Sequence, residues 1–379
     1  MKKVFISSDN ILSPIGFTST ENFLNLSHKI SGIKKHENSN MSELPFLASL
    51  FDTSDYFFTE TSKSGYTKFE QLLIASISNA FNSSEVAAAD KKTILIISST
   101  KGNIGLLETE IPGNALNNRI ALHHSAKLVA HHFKFVNPPV VVSNACISGL
   151  LALITGMRLI QSGQYDNAVI AGADVISKFV LSGFQSFQAI SNEHCKPFDA
   201  ERNGINLGEG AGTIILSSNM KNSQGIRILG GSVSNDANHI SGPSRTGEEL
   251  HNAISKSMRD SNLVAKDIDF ISAHGTATIY NDEMEAKAIT LTNLQTVPVN
   301  SMKGYYGHTL GAAGIIESII SIYSMKENLI LPTLGFSRMG VSKPVNVCNT
   351  LIKTSLQNCI KTASGFGGCN AAVIFSKQF

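Results

Sequence analysis

The sequence predicts an α/β protein whose sheets are rich in parallel strands and covered by helices on both faces. Short, continuous apolar runs recur along the chain, and such runs are typical of strands buried on both faces. Between them lie longer segments in which apolar residues repeat with the period of a helix. Because parallel neighbouring strands need a crossover connection, this alternation favours parallel sheets between layers of helices.

These elements follow one another from the N-terminus to the C-terminus. The runs predicted as strands are Val4 to Ser7, Thr93 to Ser98, Val140 to Val142, Asn167 to Ala171, Gly212 to Leu216, Asp269 to Ile271, Val297 to Asn300 and Ala371 to Phe375. The segments predicted as helices include Phe69 to Phe81, Ile147 to Gln161, Glu248 to Ser261 and Gly311 to Lys326.

A weak internal repeat relates two stretches that each combine a strand, a polar turn, a glycine-containing segment and a helix rich in small residues. The two stretches are "VVVSNACISGLLALITG" and "VPVNSMKGYYGHTLGAAGIIESI". The repeat predicts two related halves that meet near residues 218–228. We assign these halves to residues 1–225 and 226–379.

The bulk composition narrows the class of protein. The 379 residues suffice for two packed units or one duplicated domain, and a formal charge of +2 gives no reason to expect nucleic-acid binding. Five cysteines without a CxxC pair argue against a disulfide framework and a zinc site. The uncharged run from Pro138 to Met157 approaches the length of a membrane span, but Pro138-Pro139 and Ser143-Asn144 interrupt it. We therefore predict a soluble, cytoplasmic protein without a signal peptide or membrane insertion.

Cys146 lies between the predicted strand Val140 to Val142 and the predicted helix that follows it. A helix N-terminus carries roughly half a unit of positive charge and unpaired N–H groups. Such a position would lower the thiol pKa of Cys146 and would stabilise an oxyanion formed when the sulfur attacks a thioester. The alternative is an inert thiol that packs between strand and helix.

Three later strand ends carry further residues that suit catalysis. The segments "FISAHGTATIYNDEMEA", "VNSMKGYYGHTLGAAGIIE" and "ASGFGGCNAAVIF" contain His274, Thr276, Thr278, Asp282 and Glu285, then Lys303 and His308, then Phe366. Each group alone has a structural explanation, since a lone histidine is usually a satisfied structural group and a glycine cluster is usually a turn. Their occurrence in this order, each at a strand end, favours a shared active site.

With these motifs the chain resembles the β-ketoacyl-acyl carrier protein synthases of type I/II, the elongating condensing enzymes of fatty acid and polyketide synthesis. The resemblance runs from the first strand to the last. It is most specific in the blocks "NACISG", "KPFDAERNGINLGEGAG", "AHGTATIYNDEMEA", "NSMKGYYGHTLGAAG" and "GFGGCNAAVIF". It implies the thiolase-like duplicated fold, an α/β architecture of five αβαβα layers, and assembly as a dimer.

The resemblance implies a role for each matching residue. Cys146 corresponds to the nucleophile that accepts the acyl chain. His274 and His308 correspond to the two histidines that promote decarboxylation of the malonyl thioester and stabilise the enolate. Lys303 corresponds to the lysine near the second histidine, and Glu285 to the acidic residue that holds this lysine.

The remaining matches concern substrate binding and access. Thr276 and Thr278 correspond to threonines that contact the pantetheine arm. The backbone N–H groups of Cys146 and Phe366 correspond to the oxyanion hole, and Phe366 and Phe184 correspond to two gating phenylalanines.

The implied activity is a decarboxylative Claisen condensation between an enzyme-bound acyl thioester and malonyl-acyl carrier protein, in fatty acid, polyketide or aryl-polyene-type synthesis. The implied partners are the acyl carrier protein and a second subunit, in a homodimer or in a heterodimer with a chain-length-factor-like subunit. Because the substrates travel on phosphopantetheine, no cofactor and no metal are expected. The alternative activity is a thiolase-like acyl transfer without decarboxylation.

The sequence departs from the family pattern at several positions. Lys101 stands where an apolar residue commonly forms the floor of the acyl tunnel, so its side chain points elsewhere, shortens the pocket or pairs with a polar substrate. Cys369 replaces a threonine and is either a structural thiol or a second reactive cysteine, as in thiolases. The segment before the nucleophile is also shorter than usual. His124 and His131 share a predicted helix face, but no carboxylate or thiol lies nearby in sequence to complete a metal site.

Overall fold

The computed structural model describes residues 1–52, 65–237 and 239–378. The strands are β1 (Val4–Leu12), β2 (Lys34–His36), β3 (Phe46–Ser49), β4 (Thr93–Ser98), β5 (Val140–Val142), β6 (Asn167–Asp174), β7 (Leu207–Gly208), β8 (Gly210–Ser217), β9 (Ile226–Asn235), β10 (Phe270–Ser272), β11 (Pro298–Asn300), β12 (Leu329–Ile330), β13 (Asn346–Val347), β14 (Ile352–Lys353), β15 (Asn358–Gly365) and β16 (Cys369–Lys377). The α-helices are α1 (Ser19–Ser27), α2 (Lys68–Asn82), α3 (Asn114–Ile120), α4 (Leu122–His132), α5 (Ser148–Gln161), α6 (Lys178–Ser186), α7 (Glu248–Asp260), α8 (Ile279–Leu291), α9 (Lys303–Tyr306) and α10 (Ala313–Glu327).

Strands from both parts of the chain join in one large sheet that repeats the same topology twice. The first part has the order β5-β4-β6-β8-β1, and the second has the order β11-β10-β15-β16-β9. In each part the first three strands are parallel and the last two run antiparallel to their neighbours. β1 and β9 pair antiparallel and join the two parts. The internal repeat in the sequence therefore corresponds to a structural duplication, in which β5 and β11 occupy equivalent positions.

The helices and the two parts of the sheet stack in the order α-β-α-β-α. Helices α5 and α10 contact each other and contact strands from both parts, so they form the central layer. Helix α2 packs on β8 and β1, and helix α7 packs on β9 and β16. Three separate apolar clusters fill the spaces between these layers. The predicted five-layer α/β fold is confirmed.

Close contact between the two central helices depends on glycine. A Cβ atom on Gly149 of α5 would lie 2.9 Å from the backbone nitrogen of Ile315 in α10. A Cβ atom on Gly314 of α10 would lie 2.5 Å from the backbone nitrogen of Leu150. Both distances are shorter than a carbon–nitrogen van der Waals contact, so a larger residue at either position would push the helices apart. This contact brings the start of α5 close to the start of α10, and both helix starts border the site described below.

The predicted strands and helices are all present, most with ends that differ by one to five residues. Two long strands, β9 and β15, were not predicted. Gly230 and Gly231 interrupt the apolar pattern of β9, and their missing side chains leave room for Ser257 of α7 and Ile154 of α5. The charged Lys361 interrupts the pattern of β15, although its side chain is fully buried.

Two further expectations concern membranes and the polar stretch from Ser31 to Ser64. No helix in the described part of the chain is long and apolar enough to cross a membrane. The short strands β2 and β3 lie in the polar stretch and pair with each other, while residues 53–64 fall outside the described residues. The predicted boundary between the halves, at residues 225 and 226, stays a prediction.

Candidate active site

Cys146 lies at a sharp corner between β5 and α5. The corner requires a left-handed backbone at Ala145, whose φ is 44°. The hydroxyl of Ser148 stabilises the turn, because it accepts from the backbone N–H of Asn144 at 2.8 Å and donates to the carbonyl of Ala145 at 2.6 Å. As a result, the Cys146 sulfur is directed toward the residues that follow the strands of the second part.

Burial dominates the electrostatics of the Cys146 thiol. It raises the pKa of this thiol to about 12, although the positive charge of Lys303 and a hydrogen bond from the backbone N–H of Phe366 act in the opposite direction. The sequence-based expectation of a lowered pKa was therefore wrong for the free protein, since only 8% of the residue is exposed. Cys146 rests as a thiol, and its proton must leave as the sulfur attacks.

His274 and His308 face this thiol from two different loops. His274 follows β10, and His308 follows Gly307, whose φ of 66° turns the chain after α9. The ring centroids lie 5.2 Å apart at an interplanar angle of 80°. One ring nitrogen of each histidine and the Cys146 sulfur all lie within 4.8 Å of one another. The fold thus brings together three residues that are far apart in the sequence.

Both imidazoles are neutral and have nitrogens without a partner in the described part of the chain. Burial and the positive charge of Lys303 hold the pKa of His274 and of His308 well below the usual range. Nδ1 of His274 and both ring nitrogens of His308 are buried without a hydrogen-bond partner among the described residues. Because an unpaired buried polar atom costs free energy, this arrangement is typical of a site that binds a polar group of a substrate.

A buried cluster of three charges lies behind the histidines. Lys303 at the start of α9 donates a hydrogen bond to the carboxylate of Glu317 in α10. Lys361 of β15 forms a second ion pair with Glu317, with its nitrogen 2.6 Å from the carboxylate. Both lysine side chains are fully buried, and that of Glu317 is 4% exposed. Two cations thus share one carboxylate beside the imidazoles.

The structure corrects the predicted role of Glu285. We expected this residue to hold Lys303, but Glu317 does so, because it projects from α10 directly onto the lysine. Glu285 instead accepts hydrogen bonds from the backbone N–H groups of His274, at 2.8 Å, and Gly275, at 2.6 Å. It therefore fixes the loop that carries the first histidine.

A cavity of about 470 Å³ leads from the surface to the Cys146 sulfur. Thr276 and Thr278 line it, and their hydroxyl oxygens lie 2.9 Å apart. His274 and His308 also line the cavity, so the thiol and both imidazoles are accessible from it. The volume falls in the range of small-molecule sites.

Aromatic side chains line part of this cavity. The rings of Phe184 and Phe366 stack at a centroid distance of 5.8 Å, and Phe184 meets the His308 ring edge-on at 6.5 Å. Phe187, which the sequence analysis did not single out, contacts Phe366 from the other side at 5.2 Å. Because Phe366 also follows Gly365 in the loop beside Cys146, its movement would change access to the sulfur.

Two buried carboxylates that the sequence analysis did not assign hold the loops around the site. Asp174 accepts hydrogen bonds from the Ser99 hydroxyl and from the backbone N–H of Gly311, so it ties β4 and β6 to the start of α10. Asp282, singled out without a role, accepts from the backbone N–H of Thr276. Burial and the nearby charge of Glu285 raise the pKa of Asp282 to about 7.

The departures from the family pattern also have defined positions. Lys101 is exposed and does not line the cavity, so its side chain points elsewhere, which was the first of the three alternatives. The Cys369 sulfur donates to the carbonyl of Phe366 at 3.4 Å and does not line the cavity. His131 is exposed and His124 is partly buried, and neither belongs to a group of three possible metal ligands among the described residues.

Comparison with known proteins agrees with the fold. The family model for the N-terminal domain of β-ketoacyl synthase matches residues 13–222, and the model for the C-terminal domain matches residues 226–337. The 3-oxoacyl-[acyl-carrier-protein] synthase 2 of Rhizobium meliloti is 31% identical over 284 residues, which are 70% of this chain and 66% of that protein. The enzyme of the same name from Vibrio harveyi is 26% identical over 99% of both chains.

A solved structure shows the same fold. A ketosynthase from Xenorhabdus doucetiae, determined in complex with its chain length factor, superimposes with a TM-score of 0.88 at 24% identity. The alignment covers 100% of this chain and 98% of that one. The family models and the named relatives identify a condensing acyltransferase. The chain belongs to the β-ketoacyl synthase family.

Proposed function

We propose that this protein elongates an acyl chain held on Cys146 by decarboxylative condensation with a malonyl thioester on an acyl carrier protein. The observation that carries the proposal is the meeting of the Cys146 sulfur and two neutral imidazoles within 4.8 Å in the wall of one cavity. One site then performs acyl transfer, decarboxylation and carbon–carbon bond formation.

Acyl transfer begins with attack of the Cys146 sulfur on the acyl thioester of a carrier protein. Because burial keeps the thiol protonated, the neutral imidazole of His308 accepts its proton during the attack. The negative oxygen that forms is stabilised by the backbone N–H groups of Cys146 and Phe366. The carbon–sulfur bond to phosphopantetheine then breaks, and the leaving thiolate takes up the proton.

Decarboxylation follows when a malonyl thioester enters the same cavity. Its carbon–carboxylate bond breaks, CO2 leaves, and the electron pair moves onto the thioester oxygen as an enolate. Neutral imidazoles suit this step because each can donate a hydrogen bond to that oxygen, and the positive charge of the Lys303 cluster stabilises it further. The enolate carbon then attacks the acyl group on Cys146, the acyl carbon–sulfur bond breaks, and the sulfur leaves as a thiolate that takes up a proton from water.

The cavity walls suit substrates that arrive on a flexible arm. The hydroxyls of Thr276 and Thr278 would bind the pantetheine, and the phenylalanine pair Phe184 and Phe366 would close over the acyl chain. A substrate carried on phosphopantetheine supplies every reacting group, so we propose that no further cofactor and no metal take part. The two lysines on Glu317 support this, because their positive charge disfavours a metal cation beside the histidines.

The proposed partners are an acyl carrier protein and a second synthase subunit. The second subunit is either another copy of this chain or a chain-length-factor-like protein, as in the Xenorhabdus doucetiae complex. Fatty acid, polyketide and aryl-polyene-type synthesis are all compatible with the site. We place the protein in the cytoplasm, because its five cysteines are all free thiols, as is usual in a reducing compartment.

Substitution of the nucleophile tests the proposal. Wild-type protein incubated with acyl-carrier protein should gain the mass of one acyl group, and Cys146→Ala should gain none while keeping its fold. The matched control is Cys369→Ala, which should still be acylated because that sulfur does not line the cavity. Acylation of the Cys146→Ala protein would show that the nucleophile lies elsewhere.

A second measurement separates this activity from thiolase-like transfer. The wild-type protein should release CO2 from malonyl-carrier protein, and His274→Ala or His308→Ala should reduce the rate by roughly 100-fold or more, because each removes a donor to the enolate oxygen. An acyl transfer enzyme without decarboxylation would release no CO2 and would use acetyl-carrier protein as the second substrate.

A further inference from the structure

Lys361 is a fully buried lysine whose position no motif of the sequence analysis includes. It lies on β15, directly opposite Ser272 of β10 in the parallel register. Its ammonium nitrogen lies 3.2 Å from the carbonyl of Ser272 and 3.1 Å from the carbonyl of Ala273, and it donates to both. These carbonyls end the strand that delivers His274.

The loop of His274 is therefore held from two sides by opposite charges. Lys361 binds the two carbonyls that precede the histidine, and Glu285 binds the N–H groups of His274 and Gly275. Four backbone hydrogen bonds to ionised groups fix one short turn, and such bonds are stronger than those between neutral groups. This leaves the turn little freedom to move when charge develops on a bound substrate.

Lys361 also adds charge at the place where the proposed enolate forms. It shares Glu317 with Lys303, and the Glu285 carboxylate also lies near its ammonium group. The titratable groups around Lys361 are Glu285 from α8, Lys303 from α9, Glu317 from α10 and the two histidine rings. A positive charge at this position favours a negative oxygen over a neutral thioester.

We propose that Lys361 is a positioning residue for the decarboxylation half-reaction, which holds the His274 turn and places a positive charge behind it. The proposal rests on the function proposed above. It assigns no contact between Lys361 and the substrate, since Lys361 does not line the cavity. Acylation of Cys146 should depend on it little, because the oxyanion hole lies on the other loops.

Three substitutions separate charge from hydrogen bonding. Lys361→Arg keeps the charge and the donors, Lys361→Gln keeps a donor without the charge, and Lys361→Met removes both. CO2 release from malonyl-carrier protein should decrease in the order Arg, Gln, Met, with a loss of about tenfold or more for Met. Acylation of Cys146, measured by intact mass, should stay within roughly threefold of wild type. The matched control is Ile360→Val, which changes the neighbouring residue on the opposite face of β15.

The pH dependence gives a readout that a purely structural role would not move. Loss of the Lys361 charge raises the pKa of His274, because that charge helps keep the imidazole neutral. As the solution becomes acidic, CO2 release by Lys361→Gln should therefore begin to fall at a higher pH than CO2 release by the wild-type protein.

Several outcomes would overturn the proposal. One is that the variants lose CO2 release and Cys146 acylation equally, and another is that Lys361→Met releases CO2 at the wild-type rate. A third is that CO2 release by Lys361→Gln falls with acid at the same pH as in wild type, and a fourth is that none of the three variants folds. If wild-type protein acylates Cys146 and releases no CO2, the proposed function itself fails, which is a separate result.

Discussion

Removal of the shared carboxylate by Glu317→Gln should destabilise the protein more than neutralisation of either lysine. The Lys361 nitrogen lies 2.6 Å from Glu317, and at an effective dielectric constant of about 20 this separation corresponds to roughly 6 kcal/mol of attraction. The cost of burying both charges offsets much of this, and breaking a buried pair typically costs about 3–5 kcal/mol. Because Glu317→Gln leaves two buried ammonium groups side by side, we expect a loss of about 4 kcal/mol or more.

A double-mutant cycle with Lys361→Met tests whether the charges are coupled. Lys361→Met leaves Lys303 and Glu317 as a matched pair, so it should cost less than Glu317→Gln. In the double variant only one lysine remains unpaired. Its loss of unfolding free energy should therefore be smaller than the sum of the losses of the two single variants by about 2 kcal/mol or more.

The assay is urea unfolding followed by far-UV circular dichroism, because the chain has no tryptophan to serve as a fluorescence probe. The matched control is Glu201→Gln, which removes an ion pair with Lys196 at a carboxylate that is 71% exposed and should cost less than about 0.5 kcal/mol. A loss below about 1 kcal/mol for Glu317→Gln, or a loss smaller than that of Lys361→Met, would refute the reasoning.

Three further predictions follow from burial and packing. Gly314→Ala should lower stability by several kcal/mol in urea unfolding, because its Cβ would lie 2.5 Å from a backbone nitrogen, whereas Gly183→Ala in α6 has nothing within 4 Å and should be neutral or stabilising. Arg119→Ala should cost roughly 2–3 kcal/mol at pH 7, because it leaves the buried Glu70 carboxylate unpaired. Hydrogen bonds, chiefly from Arg119, lower the pKa of Glu70 to about 2 despite its burial. The ion pair therefore stabilises the fold fully above about pH 4.5, the ordinary pKa of a glutamate. The loss of stability caused by Arg119→Ala should shrink as the pH falls from 4.5 toward 2, and a loss independent of pH would contradict this. Alkylation of Cys146 by iodoacetamide, followed by mass, should keep accelerating up to pH 9, because burial raises the thiol pKa to about 12; a plateau below pH 8 would show that the helix N-terminus outweighs burial.

The layered fold could be predicted from the sequence because each of its layers has a local signal. The buried strands β4 and β5 are continuous apolar runs, and the helical segments between strands repeat with the helix period. The repeat around Cys146 and Lys303 was also visible, because both stretches fold into the same strand–turn–helix unit. Such signals depend on neighbouring residues and need no knowledge of distant contacts.

The electrostatics of the site could not be predicted, because they depend on residues that meet only after folding. Lys361 interrupts the apolar pattern of its strand. Its charge is paired with Glu317, which lies in a helix 44 residues earlier in the chain. A lone glutamate in the apolar run "AAGIIESIIS" was the one available signal that a buried cation lies nearby. Likewise, the helix N-terminus suggested a lowered pKa for Cys146, but the depth of burial, which reverses the direction, is a property of the whole fold.

The most direct test of the central claim is a single turnover with protein that carries an acyl group on Cys146. Addition of malonyl-carrier protein labelled with ¹³C at the free carboxylate should release labelled CO2 and produce an unlabelled 3-oxoacyl-carrier protein. The acyl mass should leave Cys146 at the same rate as the product appears. Persistence of the acyl-enzyme with no labelled CO2, or retention of the label in the product, would contradict the account.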